Sequence, residues 1–423
     1  MGVLVAFILL VVLVYKKVPA ALAAIISAVV MCLLSGLDTM AVMKGDFMTA
    51  AGGFVTSYFL LFLLCGIYAA VMDYSGAAFS LGKWLANLLG TKGAIWGVSI
   101  AAAVMTYGGI SAFVIVFAMY PIALVLFKEA DIDRRMIPAA IGAGAFTLPN
   151  VFWGSPGVCN VIPTTFLGTD VRAAPAVSIV VGLFIFILSN LYLVWRNKRN
   201  QKKGIGFVPT EKINRMLEEN EQRGTVNHWL ALVPLVVIIV VLNVIQLDVL
   251  IAMLCGIVVA YIIFWNRIAD KVQPLIAGTQ SGIGSTLGTA PVVGLGGVAK
   301  LTSVFQYMLD LAMNMKGNPL ISWALSATII TGVCASGSGG AALTGELLAA
   351  KYLAMGLNPE ILHRILSCAV IVLDSLPWNG VMCTTMAACD LTHKESYGDL
   401  FMITVVINFL GLVLCTALGV IFY

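Results

Sequence analysis

Apolar runs of about 18 or more residues, nearly free of charge, recur from one end of this chain to the other. A helix that crosses a bilayer core needs about 20 such residues, and its backbone groups must bond within the segment. The runs therefore predict helices that span a membrane. Composition agrees: 61% of the 423 residues are hydrophobic and 10% are charged, against about 25% charged in a soluble domain. The chain reads as an all-α polytopic membrane protein. Its net charge of +4 comes with no basic domain, which argues against a nucleic-acid partner.

About ten spans are expected, near 1–15, 18–37, 52–72, 137–168, 175–195, 229–246, 248–265, 274–300, 360–391 and 398–423. The first lacks a basic leader and a small-residue cleavage site, so it reads as a span and not as a secretory signal. Two further segments, near 94–127 and 319–352, are too long for one span and are broken by glycine at their middles. Each reads as a re-entrant hairpin. Lys16, Lys17, Lys83, Lys128, Arg134, Arg135, Arg267, Lys271 and Lys394 would share one side with the charged linker 196–228. The other side would hold few bases, chiefly Lys44, Arg172, Lys300, Lys316 and Lys351. That bias puts the linker in the cytoplasm and both chain ends outside. Thr210 is placed to cap a short linker helix.

The halves 1–195 and 229–423 match at an offset of about 228 residues. "MTYGGIS" falls opposite "CASGSGG", "TLPN" opposite "SLPWN", and "GKWLANLLGTKG" opposite "QYMLDLAMNMKG". Five spans per half is an odd number, so the second half would run inverted. Inverted repeats with discontinuous helices are a pattern of secondary transporters. Each half is expected to carry one hairpin and one broken span, near 137–168 and near 360–391.

Non-helical backbone at membrane depth survives only where protein, water or a ligand satisfies it. The two hairpin tips offer Thr106, Tyr107, Gly108, Gly109 and Ser111, and Ser336, Gly337, Ser338 and Gly339. Helices resuming after such tips point free amides at the midplane, which suits an anion. Close packing of small residues is the plainer alternative. The broken spans offer Asn150, Asn160, Thr164, Thr165 and Asn379 as ligands for a substrate. Asp374 at the second break is the better proton carrier, because a buried carboxylate is costly when charged. Glu346, two turns past the second tip, is the other. His363 and Arg364 read as outer-end residues that snorkel, with attraction of an anion as the alternative. The nine cysteines have no CxxC spacing and no His cluster, so they read as buried thiols with no metal and no cofactor.

At these residues a resemblance enters. "TYGGISAFVIVFAMYPIALVLFKEADIDRRMIPAAI", "GSPGVCNVIPTTFLGT", "LDSLPWNG" and "LTHKESYGDLF" resemble the gluconate:proton symporter family (GntP) of the ion transporter superfamily, over nearly the whole chain. The resemblance implies proton-coupled uptake of a small organic anion, such as gluconate or 3-hydroxybutyrate. It implies a homodimer in a bacterial inner membrane. Many members of that family have histidine where this chain has Trp378, which favours a smaller or more apolar acid here. Sodium coupling on the same scaffold stays open, and so does an anion channel. No HExxH, paired-acid or nucleotide-loop motif points to an enzyme.

Overall fold

The structure is a computed structural model. It describes residues 2–423 apart from 17, 108–111, 156, 246, 305–306, 308–309, 312–316, 335 and 378. The described residues contain helices and no strand.

The first half opens with α1 (Gly2–Tyr15) and α2 (Ala20–Ser35), which pack on each other. Gly36, at φ +68°, ends α2 in the left-handed conformation that favours glycine. A long helix follows, α3 (Thr39–Tyr74), with a π-turn over Met43–Phe47. Next comes α4 (Ala77–Tyr107), bent at Gly90 (φ +65°); it pairs with α5 (Ala112–Glu129). The broken span is α6 (137–151), a gap, and α7 (Val158–Leu167). Then α8 (Pro175–Lys202) runs on past its expected end into the linker.

The same order occurs again after the linker helix α9 (Glu211–Arg223). It comprises α10 (His228–Asn243), α11 (Val249–Phe264), the long α12 (Gln273–Ala299), and the paired α13 (Pro319–Cys334) and α14 (Gly337–Ala354). The second broken span is α15 (Pro359–Ala369), a gap, and α16 (Gly380–Ala388), followed by α17 (His393–Phe422). Asx and hydroxyl caps set the starts: Asn227 for α10, Asp248 for α11, Thr210 for α9 and Asn358 for α15.

Each expected span has a helix or two half-helices at its place. Among the described residues, four helices are long and apolar enough to cross a bilayer unaided: α3, α8, α12 and α17. The other apolar helices are short or, like α4 at Gly90, bent; α2, α10 and α11 have 16 residues each, about 24 Å of rise against a core of about 30 Å. One landmark of the repeat moves. "TLPN" ends the first half-helix of its break, whereas "SLPWN" leads into the second half-helix, where Asn379 caps α16. The counterpart of Asn379 by position in the break is thus Gly157, the residue before α7.

At the centre, α3 lies against α12. A Cβ on Gly66 would meet the Gly278 carbonyl, and one on Gly282 would lie 2.6 Å from Phe62 O. The backbones touch because three small residues meet there, an arrangement that membrane helices use in place of a hydrophobic drive. The linker is pinned to the α5 end of the bundle. Ile213 and Leu217 are buried, Lys128 Nζ donates to Glu221 Oε1 (2.7 Å), and Arg134 Nε donates to Val208 O (3.2 Å). A cavity of about 740 Å³ opens there, between α3, α5 and α12 under α9. Cys32, Cys65, Cys159, Cys255, Cys368, Cys383, Cys389 and Cys415 are free, and all of these but Cys255 are buried.

Candidate functional site

The first break leaves the carbonyls of α6 without helical partners. Phe152 turns extended (ψ 144°), and the chain folds back so closely that a Cβ on Gly157 would lie 2.6 Å from Pro149 O. The donors come from elsewhere. Val151 O accepts Ser178 Oγ (2.8 Å) and Arg364 Nη1 (2.6 Å). Arg364 also donates to Asn160 Oδ1 (2.8 Å) and, through Nη2, to Ala173 O (2.8 Å) and Val171 O (3.4 Å). It is fully buried, as is His363. The expectation that both snorkel at an outer end is therefore corrected. The broken span creates buried carbonyls that need a multi-armed donor, and a guanidinium on α15, which is buried from Ile361 to Ala369, supplies it.

Asn160 is fully engaged by the same network. Its Nδ2 donates to Ser155 O (2.8 Å) and Val171 O (3.1 Å), while Oδ1 takes Arg364 and faces His363 Nε2 (3.1 Å). An amide oxygen only accepts, so His363 carries its proton on Nε2 and accepts from Thr169 Oγ1 at Nδ1 (2.7 Å). No polar valence of Asn160 is left for a substrate. It is a strut between the two broken spans, which corrects its assignment as a ligand.

The second break brings three elements together. Asp374 is half-buried, and its Oδ1 accepts the Ser375 hydroxyl (2.7 Å). Its Oδ2 lies against the start of α14: a Cβ on Gly337 would stand 2.7 Å from Asp374 Oδ2 and 3.0 Å from Cys159 Sγ of α7. Hairpin, second break and first broken span thus converge on one carboxylate. Ser336 caps α14, its Oγ accepting the Gly339 amide (3.2 Å) and facing Ser338 Oγ (3.4 Å). The Gly339 amide is thereby occupied; those of Gly337 and Ser338 belong to the first turn, whose amides have no partner within a helix. Asn379 Oδ1 accepts Val381 N (2.7 Å) and Met382 N (3.2 Å), so its oxygen starts α16.

Other expected ligands have their hydrogen bonds elsewhere. Thr106 Oγ1 and Thr164 Oγ1 bond back within their own helices, to Ala102 O (2.8 Å) and Val161 O (2.7 Å). Asn150 Nδ2 does the same, to Phe146 O (3.3 Å). Thr165 is exposed. Tyr107 joins the first hairpin to the first break by donating to Trp153 O (3.1 Å). Gly108, Gly109 and Ser111 lie outside the described residues, as does Trp378. Glu346 is exposed on α14, about 14 Å along the helix from Gly337. The structure does not bring it to Asp374. The large cavity is lined by Phe117, Gly278 and Ala388 and not by Asp374 or Gly337. No cluster of possible metal ligands occurs among the described residues.

Sequence reasoning missed Arg364, although the signal was present: a cation with apolar sequence on both sides, inside an expected span. It missed Cys159 and Gly337 as neighbours of Asp374, because no local pattern joins three separate elements.

Among proteins of known sequence, the chain is 24% identical over 408 residues to an uncharacterized transporter of Haemophilus influenzae, covering 93% of this chain and 92% of that one. A crystal structure of the Alcanivorax borkumensis YdaH transporter covers 90% of this chain and 88% of its own, at 14% identity and a TM-score of 0.33. That likeness is too loose to bear on the fold. No model of a known protein family matches. The chain is also 31% identical over 407 residues to the uncharacterized transporter YxjC of Bacillus subtilis, covering 85% of this chain and 86% of that protein. On that likeness the chain belongs to the YxjC transporter family.

Proposed function

We propose that this protein is a secondary active transporter that moves a small organic anion together with protons, by alternating access between two inverted repeats. One observation carries the reading: Asp374 meets the open first turn of α14 at Gly337, beside Cys159 of the other broken span. Free amides at a helix start favour an anion. A carboxylate placed beside them repels that anion when ionised and admits it when protonated. Proton and substrate then bind together, which is symport. The two broken spans are tied by Arg364 and Asn160, so they would move as one body against the α3–α12 core. The substrate on this reading is a short hydroxy- or monocarboxylate related to gluconate, as in the gluconate:proton symporters, and the protein a homodimer of the bacterial inner membrane.

Purified protein in liposomes tests this. A pH gradient, inside alkaline, is expected to drive accumulation of a labelled hydroxycarboxylate such as 3-hydroxybutyrate or gluconate. Asp374→Asn is expected to abolish accumulation and keep counterflow exchange. Uptake driven by a sodium gradient, with no response to pH, would overturn proton coupling. Accumulation by Asp374→Asn at the parent's level would overturn the assignment of Asp374.

A further inference from the structure

A second pocket lies at the charged end of the bundle, and neither Asp374 nor Gly337 lines it. It is about 280 Å³ in volume and forms where the end of α8, the start of α17 and the 133–135 turn meet. Both signs of charge line it, but the acids are already engaged. Asp133 is paired with Arg135 Nη2 (2.6 Å). Asp399 accepts Arg196 Nε (2.9 Å) and the Tyr192 hydroxyl (2.7 Å). Glu395 accepts the Thr392 amide and hydroxyl in a capping box (2.8 and 2.6 Å).

The bases are not exhausted. Lys203 and Lys394 line the pocket and have no ion pair among the described residues. Arg196 commits Nε to Asp399 and Nη1 to Asn200 Oδ1 (2.8 Å), which leaves Nη2. Four bases and three acids therefore line a small space, with Asp133 and Asp399 paired to guanidinium groups and Glu395 hydrogen-bonded to Thr392, which leaves an excess of positive charge. A small anion that accepts hydrogen bonds on several sides fits such a space, and a phosphate group does so.

The surroundings say where that phosphate would come from. Trp195, exposed on α8 with Arg199 over its ring at 5.6 Å, sits one residue before Arg196. Tryptophan and basic residues of this kind mark the headgroup level of a membrane. Leu191 and Ile187, one and two turns earlier, are exposed and apolar. A phospholipid lying along that face would bring its headgroup to the pocket. We infer that this pocket binds a phosphate group, carried by an anionic phospholipid of the adjoining leaflet or by a free phosphate-bearing solute.

The test uses full-length protein in a phosphate-free sugar detergent and follows thermal unfolding. Short-chain phosphatidylglycerol and inorganic phosphate are titrated separately. A saturable rise in Tm with phosphatidylglycerol is expected, and Lys203→Gln/Lys394→Gln is expected to weaken it by roughly tenfold or more. Lys198→Gln/Lys202→Gln removes the same charge outside the pocket and is expected to bind as the parent does. A matching response to inorganic phosphate alone makes the ligand a free phosphate; a response to the lipid only makes it a headgroup. No rise with either ligand would overturn the site, and so would equal weakening by the two double variants. Should the pocket variant unfold without ligand, Lys203→Arg/Lys394→Arg, which keeps the charge, is expected to bind as the parent does, and its failure would count against the site.

Discussion

Arg364 shows how a broken span alters the needs of a single residue. One side chain serves Val151, Asn160, Ala173 and Val171. Its removal leaves buried carbonyls without donors, at about 1–3 kcal/mol each. Arg364→Gln is expected to lower stability by about 3 kcal/mol, read as a fall in the Tm of the purified protein. Arg364→Lys should recover less than half, because an ammonium cannot bridge the same acceptors. An unchanged Tm would mean that water serves those carbonyls. Gly337 makes the complementary case. A methyl there would press on Asp374 Oδ2 and Cys159 Sγ, and overpacking of this kind costs about 1–3 kcal/mol. Gly337→Ala is expected to slow transport by about tenfold or more, while Gly339→Ala, whose Cβ meets only Ser336 at 3.2 Å or beyond, should be far milder. Equal rates for both variants would remove Gly337 from the site. The glycines of the tip were legible in sequence; which of them faces a carboxylate was not, since that carboxylate arrives from another element.

Among the elements, α3 and α12 bear the closest backbone approach. Gly278 and Gly282 are four residues apart on α12, a small-residue spacing that the sequence displays inside an expected span. Gly282→Val would set its side chain into the Phe62 carbonyl and Leu63 Cα. It is expected to destabilise by about 2 kcal/mol or more, measured by unfolding in detergent, whereas Gly284→Val, with nothing within 4 Å, should be near neutral. The linker helix α9 offers a gentler contact. Lys128 hydrogen-bonds Glu221 and holds its carboxyl below the usual carboxylate range. A depressed folded value contributes above the unfolded pKa of about 4.3 and is lost as pH falls through the folded one. Protection of the α9 amides from exchange, corrected for intrinsic rate, is therefore expected to drop slightly below about pH 4. Lys128→Gln should show that lower protection already at neutral pH. Thr210, capping α9 at Ile213 N (3.4 Å), stands where its sequence position puts it.

For the whole molecule, the cavity of about 740 Å³ between α3, α5 and α12 opens toward α9. Ser281 lines it and is exposed. In an alternating-access protein with this linker in the cytoplasm, Ser281→Cys is expected to react with an impermeant thiol reagent in inside-out vesicles, above the parent's own labelling. Sealed right-side-out vesicles should leave it unmodified, and substrate should slow the reaction as the cavity closes. Labelling only from the opposite face would invert the topology.

The helices themselves were legible along the chain because each is a local matter. Apolar length, an Asx cap such as Asn227 or Asp248, and a glycine stop such as Gly36 lie within a few residues of one another. Hairpins and breaks were legible for the same reason, since glycine and proline act on their own backbone. The roles of Asn160, Asn379 and Arg364 were not. A polar side chain in a broken span can bind a ligand or satisfy the backbone that the break exposes, and residue type alone does not separate the two. Only the tertiary structure decides, because the choice depends on which orphan carbonyls of one half lie within reach of donors on the other. It gave Asn160 and Arg364 to the framework and left Asp374 facing Gly337.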